Sequence, residues 1–331
     1  MNARLLVPVL IGAAVQCATV VAAPEQGGNM NECGKVVGAP ADLRAELADF
    51  PDGGVLCLRP GRYSGGLFLE RSVTLRGLAD GVILDNDGRG TVLVIPHRIR
   101  VVIERMTLTG GHAGSSFGGA GILVDGFAEV MLRDCVIQKN RAGVGGGVFV
   151  ASGLLTIQRC RLLGNQAARG SAIMAVDVAR VMVLDSLIVG GVEDGHDLVR
   201  VGDGAQVSIE GSTLVLGGAA GTVLAVAGTT TSVPEVRIRD SILSGPEALS
   251  STSDPAAKVH LERSVVFGRL SGSFELDATV RRMDPLFEAV GPEPFRPSAR
   301  SPAVGLARGG RPDLLGRARP ESGATAGAIE R

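Results

Sequence analysis

The chain is poor in aromatic residues: 331 positions hold no Trp, one Tyr and nine Phe. Sugar clefts often stack pyranose rings on broad aromatic faces, so this scarcity weighs against a cleft of that kind. Clusters of Lys and Arg are also missing, and 33 basic residues against 34 acidic ones give a net charge of −1. No nucleic-acid-binding patch is therefore expected. Beyond the first two dozen residues no apolar run approaches the length that spans a bilayer, so no transmembrane segment is expected in the mature chain. Cysteine is sparse, with five in all, and no spacing among them resembles a zinc site.

The early apolar run is of a different kind. Residues 1–22 carry one positive charge at Arg4, then small and apolar residues, and close on a Val20–Ala23 segment suited to cleavage. This reads as a secretory signal and implies a secreted, periplasmic or extracellular protein in an oxidising compartment. Cys33 and Cys57, which flank the first coil, are then candidates for a disulfide.

What the chain has in abundance is a repeated phrase. Eight copies, from Val73–Leu78 through Val130–Ile137 and Val207–Leu214 to Val259–Val266, place Leu78, Met106, Cys135, Cys160, Ser186, Ser212, Ser241 and Ser264 in one column, 23 to 29 residues apart. Alternation such as Val130, Leu132 is a strand with one buried face. The next inward residue follows after three positions, Leu132 to Cys135 or Ile209 to Ser212, so each copy contains a bend into a second strand. Val, Ile and Leu enrichment without helical spacing predicts an all-β, right-handed parallel β-helix solenoid, in which eight coils at about 4.8 Å make a rod of about 40 Å.

Two polar columns accompany the bend. The first runs Arg76, Glu104, Arg133, Gln158, Leu184, Glu210, Arg239, Glu262, and the second Gly77, Arg105, Asp134, Arg159, Asp185, Gly211, Asp240, Arg263. Neither sets like charges on adjacent coils, so the columns are read as a ladder that specifies register. Cys135 and Cys160 share a column, where parallel Cβ vectors favour two stacked buried thiols over a disulfide. Asn140 and Asn165 recur at one corner, and hydrogen bonding to neighbouring backbone is preferred there over a ligand role.

The expected organisation is a signal at 1–22, a cap and first coil at 23–71, repeats at 72–268, and a tail at 269–331. Leu43, Leu47 and Phe50 at helical spacing predict a short capping helix at the N-terminal end. The tail is rich in Pro, Arg and Gly and suits wrapping the last coil.

Cys135-Val136-Ile137-Gln138-Lys139-Asn140-Arg141-Ala142 with Gly145-Gly146-Gly147-Val148 resembles the coils of the pectin-lyase-like superfamily. The tail resembles the choice-of-anchor Q domain of secreted bacterial β-helix proteins, through Asp284-Pro285-Leu286-Phe287, Phe295-Arg296, Ser301-Pro302-Ala303 and Gly327-Ala328-Ile329-Glu330. It departs from that pattern at Thr325-Ala326 and at Gly305. The resemblance implies fold and secretion, whereas function must come from a site.

A polysaccharide lyase needs a basic residue that takes a proton beside a uronate carboxylate, and carboxylates to hold Ca²⁺; a glycoside hydrolase needs two carboxyl groups facing one groove. The nearest match is Arg169 with Asp194, His196 and Asp197, one coil period apart. A hydrophilic corner in which Arg169 pairs with a carboxylate explains the same residues and is preferred, because the following coil offers only Ala219-Ala220-Gly221. His112 lacks an orienting acid, and neither an Asp-rich polygalacturonase signature nor a pectate-lyase Arg motif stands out. The leading expectation is thus a non-catalytic cell-envelope or extracellular scaffold that binds a polysaccharide or other envelope partner along its lateral loops. It needs no cofactor. The alternatives are a lyase, for which Ca²⁺ would be expected, or a hydrolase acting on an acidic polysaccharide, and a surface adhesin.

Overall fold

Three short strands per turn, each with an inward apolar side chain, wind the chain into a three-faced solenoid. In the computed structural model, residues 32–331 are described except 115–117, 192–195, 229–231, 253–256, 289–292 and 294. The proposed leader falls outside them. Face 1 is a ladder of eleven parallel strands from Lys35–Val37 through Ala128–Arg133 and Gln206–Glu210 to Glu275–Leu276. Face 2 runs from Gly61–Ser64 through Val136–Gln138 and Leu187–Gly190 to Val265–Ser271, and face 3 from Leu67–Phe68 through Val148–Val150 to Thr222–Ala227. Faces 2 and 3 merge in the long strand Ile242–Ser251. The architecture is a right-handed parallel β-helix, the hand that parallel crossovers take. One apolar core runs its length, from Val37 and Leu43 to Leu261 and Val266.

The bend between faces 1 and 2 explains the repeated phrase. Arg105, Asp134, Arg159, Asp185, Gly211, Asp240 and Arg263 all adopt left-handed backbone, with φ between 43° and 59°. Such a conformation costs a non-glycine residue roughly 1–2 kcal/mol. Two bond networks offset that cost. In the ladder of charges, Arg76 bonds Glu104 at 2.7 Å, Arg133 reaches Glu104 at 3.3 Å, and Asp134–Arg159 and Asp240–Arg263 each close at 2.8 Å. Inside, each bend N–H donates to a side chain of the next turn: Cys135 to the Sγ of Cys160 at 3.4 Å, then Cys160 to Ser186, Ser186 to Ser212, Ser212 to Ser241 and Ser241 to Ser264, at 3.0–3.2 Å. A small side chain with a lone pair is required there, which is why the column changes only between Ser and Cys in these turns. Cys135 and Cys160 are free, buried thiols, and burial pushes the Cys160 thiol well above its usual range.

The corner between faces 2 and 3 uses asparagine. Asn140 Oδ1 accepts from Gly111 N–H, Asn165 Oδ1 accepts from Asn140 N–H, and their amide groups donate to Leu108 and Ile137 carbonyls. At the N-terminal end, Asp42 caps the helix Leu43–Ala48 by accepting from Arg44 and Ala45 N–H groups, and Leu43 and Phe50 close the core. Cys33 and Cys57 form a disulfide with Cα atoms 5.8 Å apart.

The tail covers more than the last coil. It runs back along the outside of face 2, packing Ala303, Ala307, Ala324 and Ala326 on Ile242 and Val265, and Leu314, Ala328 and Ile329 on Leu187. Arg311 bonds Asp185 at 2.8 Å and Glu210 at 3.0 Å, while Arg319 donates to the carbonyls of Thr325, Gly211 and Gly327. Gly327 has φ 104°, and a Cβ there would stand 2.7 Å from Thr213 Oγ1 and 2.8 Å from Ile242, so the closing phrase fits only with glycine.

Candidate functional site

Arg169 lies exposed in the corner between faces 2 and 3, where it bridges Val144 of the preceding turn. His196 is exposed on the following turn, and Asp194 lies outside the described residues. Asp197 opens the next strand of face 3, and its main-chain oxygen accepts from Ser171 N–H. Its carboxylate is bonded at 2.5 Å to Arg200, three residues along the same strand. Arg169 and Asp197 therefore sit on adjacent turns at the leading edge of face 3, but the acid is already neutralised by a different arginine. Among the described residues no three His, Cys, Asp or Glu side chains stand together as a metal-ligand set.

A polar cleft of about 680 Å³ lies at the N-terminal end, lined by Asp42, Arg44, Arg62, Asp85, Asn86 and Arg89 among others. Arg62 within it is matched by two acids. Arg62 bonds Asp85 at 2.8 Å and Asp87 at 2.9 Å, and its bond to Asp87 holds that carboxyl below the usual range. Asp85 also accepts from Asp87 N–H.

The outer surface of face 3 has a different character. Strand register aligns Phe68, Val94, Leu123, Phe149, Met174 and Arg200 in one outward column. Each is at least partly exposed, and Phe68 is 55% exposed. At about 4.8 Å per strand, the apolar stretch from Phe68 to Met174 is about 19 Å long. On its trailing side, His97 meets the edge of the Phe68 ring at 6.3 Å, and Arg98 lies 5.2 Å over the 54% exposed ring of Phe127. On its leading side the corner forms a second small ladder, His112–Arg141–Gln166 beside Val144–Arg169, resting on Ala113, Ala120 and Ala142. Gly118 sits against the Phe149 ring, where a Cβ would approach to 2.8 Å. The result is an apolar strip along the rod axis, flanked by the cations Arg98, Arg141 and Arg169 and followed in its column by the Asp197-paired Arg200.

The scarcity of aromatics in the sequence conceals this surface. Phe68, Phe127 and Phe149 are far apart in the chain, and winding brings them onto neighbouring turns. A signal for the strip exists in the phrases Gly121-Ile122-Leu123-Val124, Gly147-Val148-Phe149-Val150 and Ala172-Ile173-Met174-Ala175, where the middle residue is the outward one.

By sequence the chain matches no family model and no curated protein. By structure it is similar to pectate lyase Pel9A, with a TM-score of 0.56 over 90% of this chain and 97% of the other, at 14% identity. It is also similar to the pectin methylesterases of Aspergillus niger (TM-score 0.52, 12% identity, 77% and 89% covered) and carrot (0.53, 11%, 76% and 90%). The fold is the pectin-lyase-like parallel β-helix. Among the described residues of this β-helix no helix is long and apolar enough to cross a membrane.

Proposed function

We infer that the protein is a secreted, non-catalytic glycan-binding scaffold that holds an extended acidic polysaccharide along face 3. The observation that carries this reading is the outward column Phe68–Val94–Leu123–Phe149–Met174, with Arg98 on its trailing side and Arg141 and Arg169 on its leading side. A linear polymer lying along the rod would stack sugar faces on Phe68 and Phe149, and its carboxylates would meet Arg98, Arg141 or Arg169. The disulfide Cys33–Cys57 supports an oxidising compartment. The tail, with its choice-of-anchor Q-like phrases, acts in this reading as a strap on face 2.

Isothermal titration with polygalacturonate and alginate tests it. Binding is expected to weaken with added salt, and Phe149→Ala is expected to lose about 1 kcal/mol, roughly fivefold in affinity. Absorbance near 235 nm, with and without Ca²⁺, is expected to stay flat. Unsaturated product that disappears in Arg169→Ala would replace this reading with a lyase.

A further inference from the structure

The strip on face 3 does not run off the N-terminal end of the rod. Phe68, its first member, also forms a wall of a cavity of about 540 Å³, lined further by Arg44, Leu47, Phe50, Leu69 and Arg71. The helix Leu43–Ala48 packs against the strand Leu67–Phe68 and stands at the point where a lateral ligand would otherwise continue past the first coil. The volume lies within the range of about 300–1,000 Å³ usual for small-ligand sites.

Two guanidinium groups border this cavity. Arg44 donates to the Gly66 carbonyl at 3.0 Å, and Arg71 donates to the Phe50 carbonyl at 3.4 Å. Gly66 is what lets Arg44 lie there, because a Cβ would stand 2.6 Å from its Nη2. Arg44 Nη2 also reaches the Gly65 carbonyl at 3.5 Å, and because each guanidinium has five N–H donors, these backbone contacts fix the planes while leaving donors to meet a carboxylate in bidentate fashion. The lining also includes one carboxylate, Glu70, against the two arginines.

Resting on the glycan-binding reading of face 3, we propose that this cavity receives the terminal sugar of the acidic chain, its carboxylate held by Arg44 and Arg71 and its ring against Phe68. The protein then reads chain ends as well as chain length. Leu47 and Phe50 form the apolar floor, and the capping helix, besides closing the core, is the stop that sets the ligand's register on the rod.

The test is isothermal titration of the full chain with trigalacturonate, trimannuronate, and long and shortened polygalacturonate and polymannuronate at equal uronate concentration. Binding sites per uronate are expected to rise as chains are shortened. Arg44→Met and Arg71→Met are expected to weaken trimer binding about tenfold. Both arginines are exposed, so an unchanged thermal midpoint verifies the fold of each variant. Phe149→Ala is expected to weaken only the long polymers. Saturation that follows total uronate regardless of chain length, or trimer binding untouched by Arg44→Met, overturns end recognition while leaving lateral binding intact if Phe149→Ala still weakens the long chains. Failure of every polymer to bind overturns both readings.

Discussion

Faces 2 and 3 are wound from the same turns, and both turn apolar side chains outward, yet they meet solvent differently. On face 2 the outward column Leu187, Thr213, Ile242, Val265 is between 0% and 3% exposed, because the tail lies over it. On face 3 the column from Phe68 to Met174 remains open to solvent in the described residues. The tail's small residues, Ala303, Ala307, Ala324 and Ala326, let it approach the sheet closely, whereas face 3 is flanked by side chains that reach outward: Arg98, Phe127, Arg141 and Arg169. A covered apolar column contributes stability; an uncovered one between cations is a surface suited to a ligand.

The contrast can be broken most sharply with charge. Ile242→Asp places a carboxylate beneath the tail and is expected to cost about 3–5 kcal/mol, while Leu123→Asp on face 3 is expected to cost less than about 1 kcal/mol, both read by urea unfolding. A loss of similar size at the two positions would abolish the distinction. Removing one acceptor from the shared bend comes next: Ser212→Ala leaves the Ser186 N–H without its bond and is expected to cost about 1–2 kcal/mol, with Ser212→Cys recovering part of it. Phe149→Ala is expected to change stability by less than about 1 kcal/mol while weakening polymer binding, which separates the strip's role from that of the core.

The mildest test concerns pH. Burial outweighs the pull of Arg311 and Arg319 and raises the Asp185 carboxyl above its ordinary 3.8. The folded protein therefore holds that proton more firmly than the unfolded chain does. Its contribution to stability is present at low pH and is lost as pH rises through the raised value. Asp185→Asn removes this dependence, so its stability relative to wild type is expected to improve as pH rises from about 3.8 toward neutrality, measured by urea titration at a series of pH values. A flat difference would place the charged carboxylate in balance with its arginines.

The solenoid and its first bend were legible because they recur. The three-position step from Leu132 to Cys135 or Ile209 to Ser212 marks each left-handed residue, and the alternating charges mark the register that Arg76–Glu104 and Asp134–Arg159 adopt. Face 3 was not legible in the same way. Its strands Ile122–Val124, Val148–Val150 and Ile173–Ala175 are three residues long, too short for alternation to declare a face, and loops of changing length precede them. The charged corner at Arg169 and Asp197 is legible from residue type, but its pairing is not, because residues three apart on a regular strand face opposite sides, and Asp197 meets Arg200 only where Leu198 and Val199 are both buried and the alternation breaks. Composition hid the aromatic strip, since an average over the chain carries no information about which rings share a surface.

The bend ladder also imposes an order in time. Every turn from Cys135 to Ser241 leaves one amide hydrogen that only its successor's thiol or hydroxyl can accept. A turn is thus complete only when the next one has been laid down. A chain emerging from its N-terminus always carries one unfinished turn at its growing end, and unravelling from the C-terminal side reopens the turns one at a time, each loss undoing the closure of the turn before it.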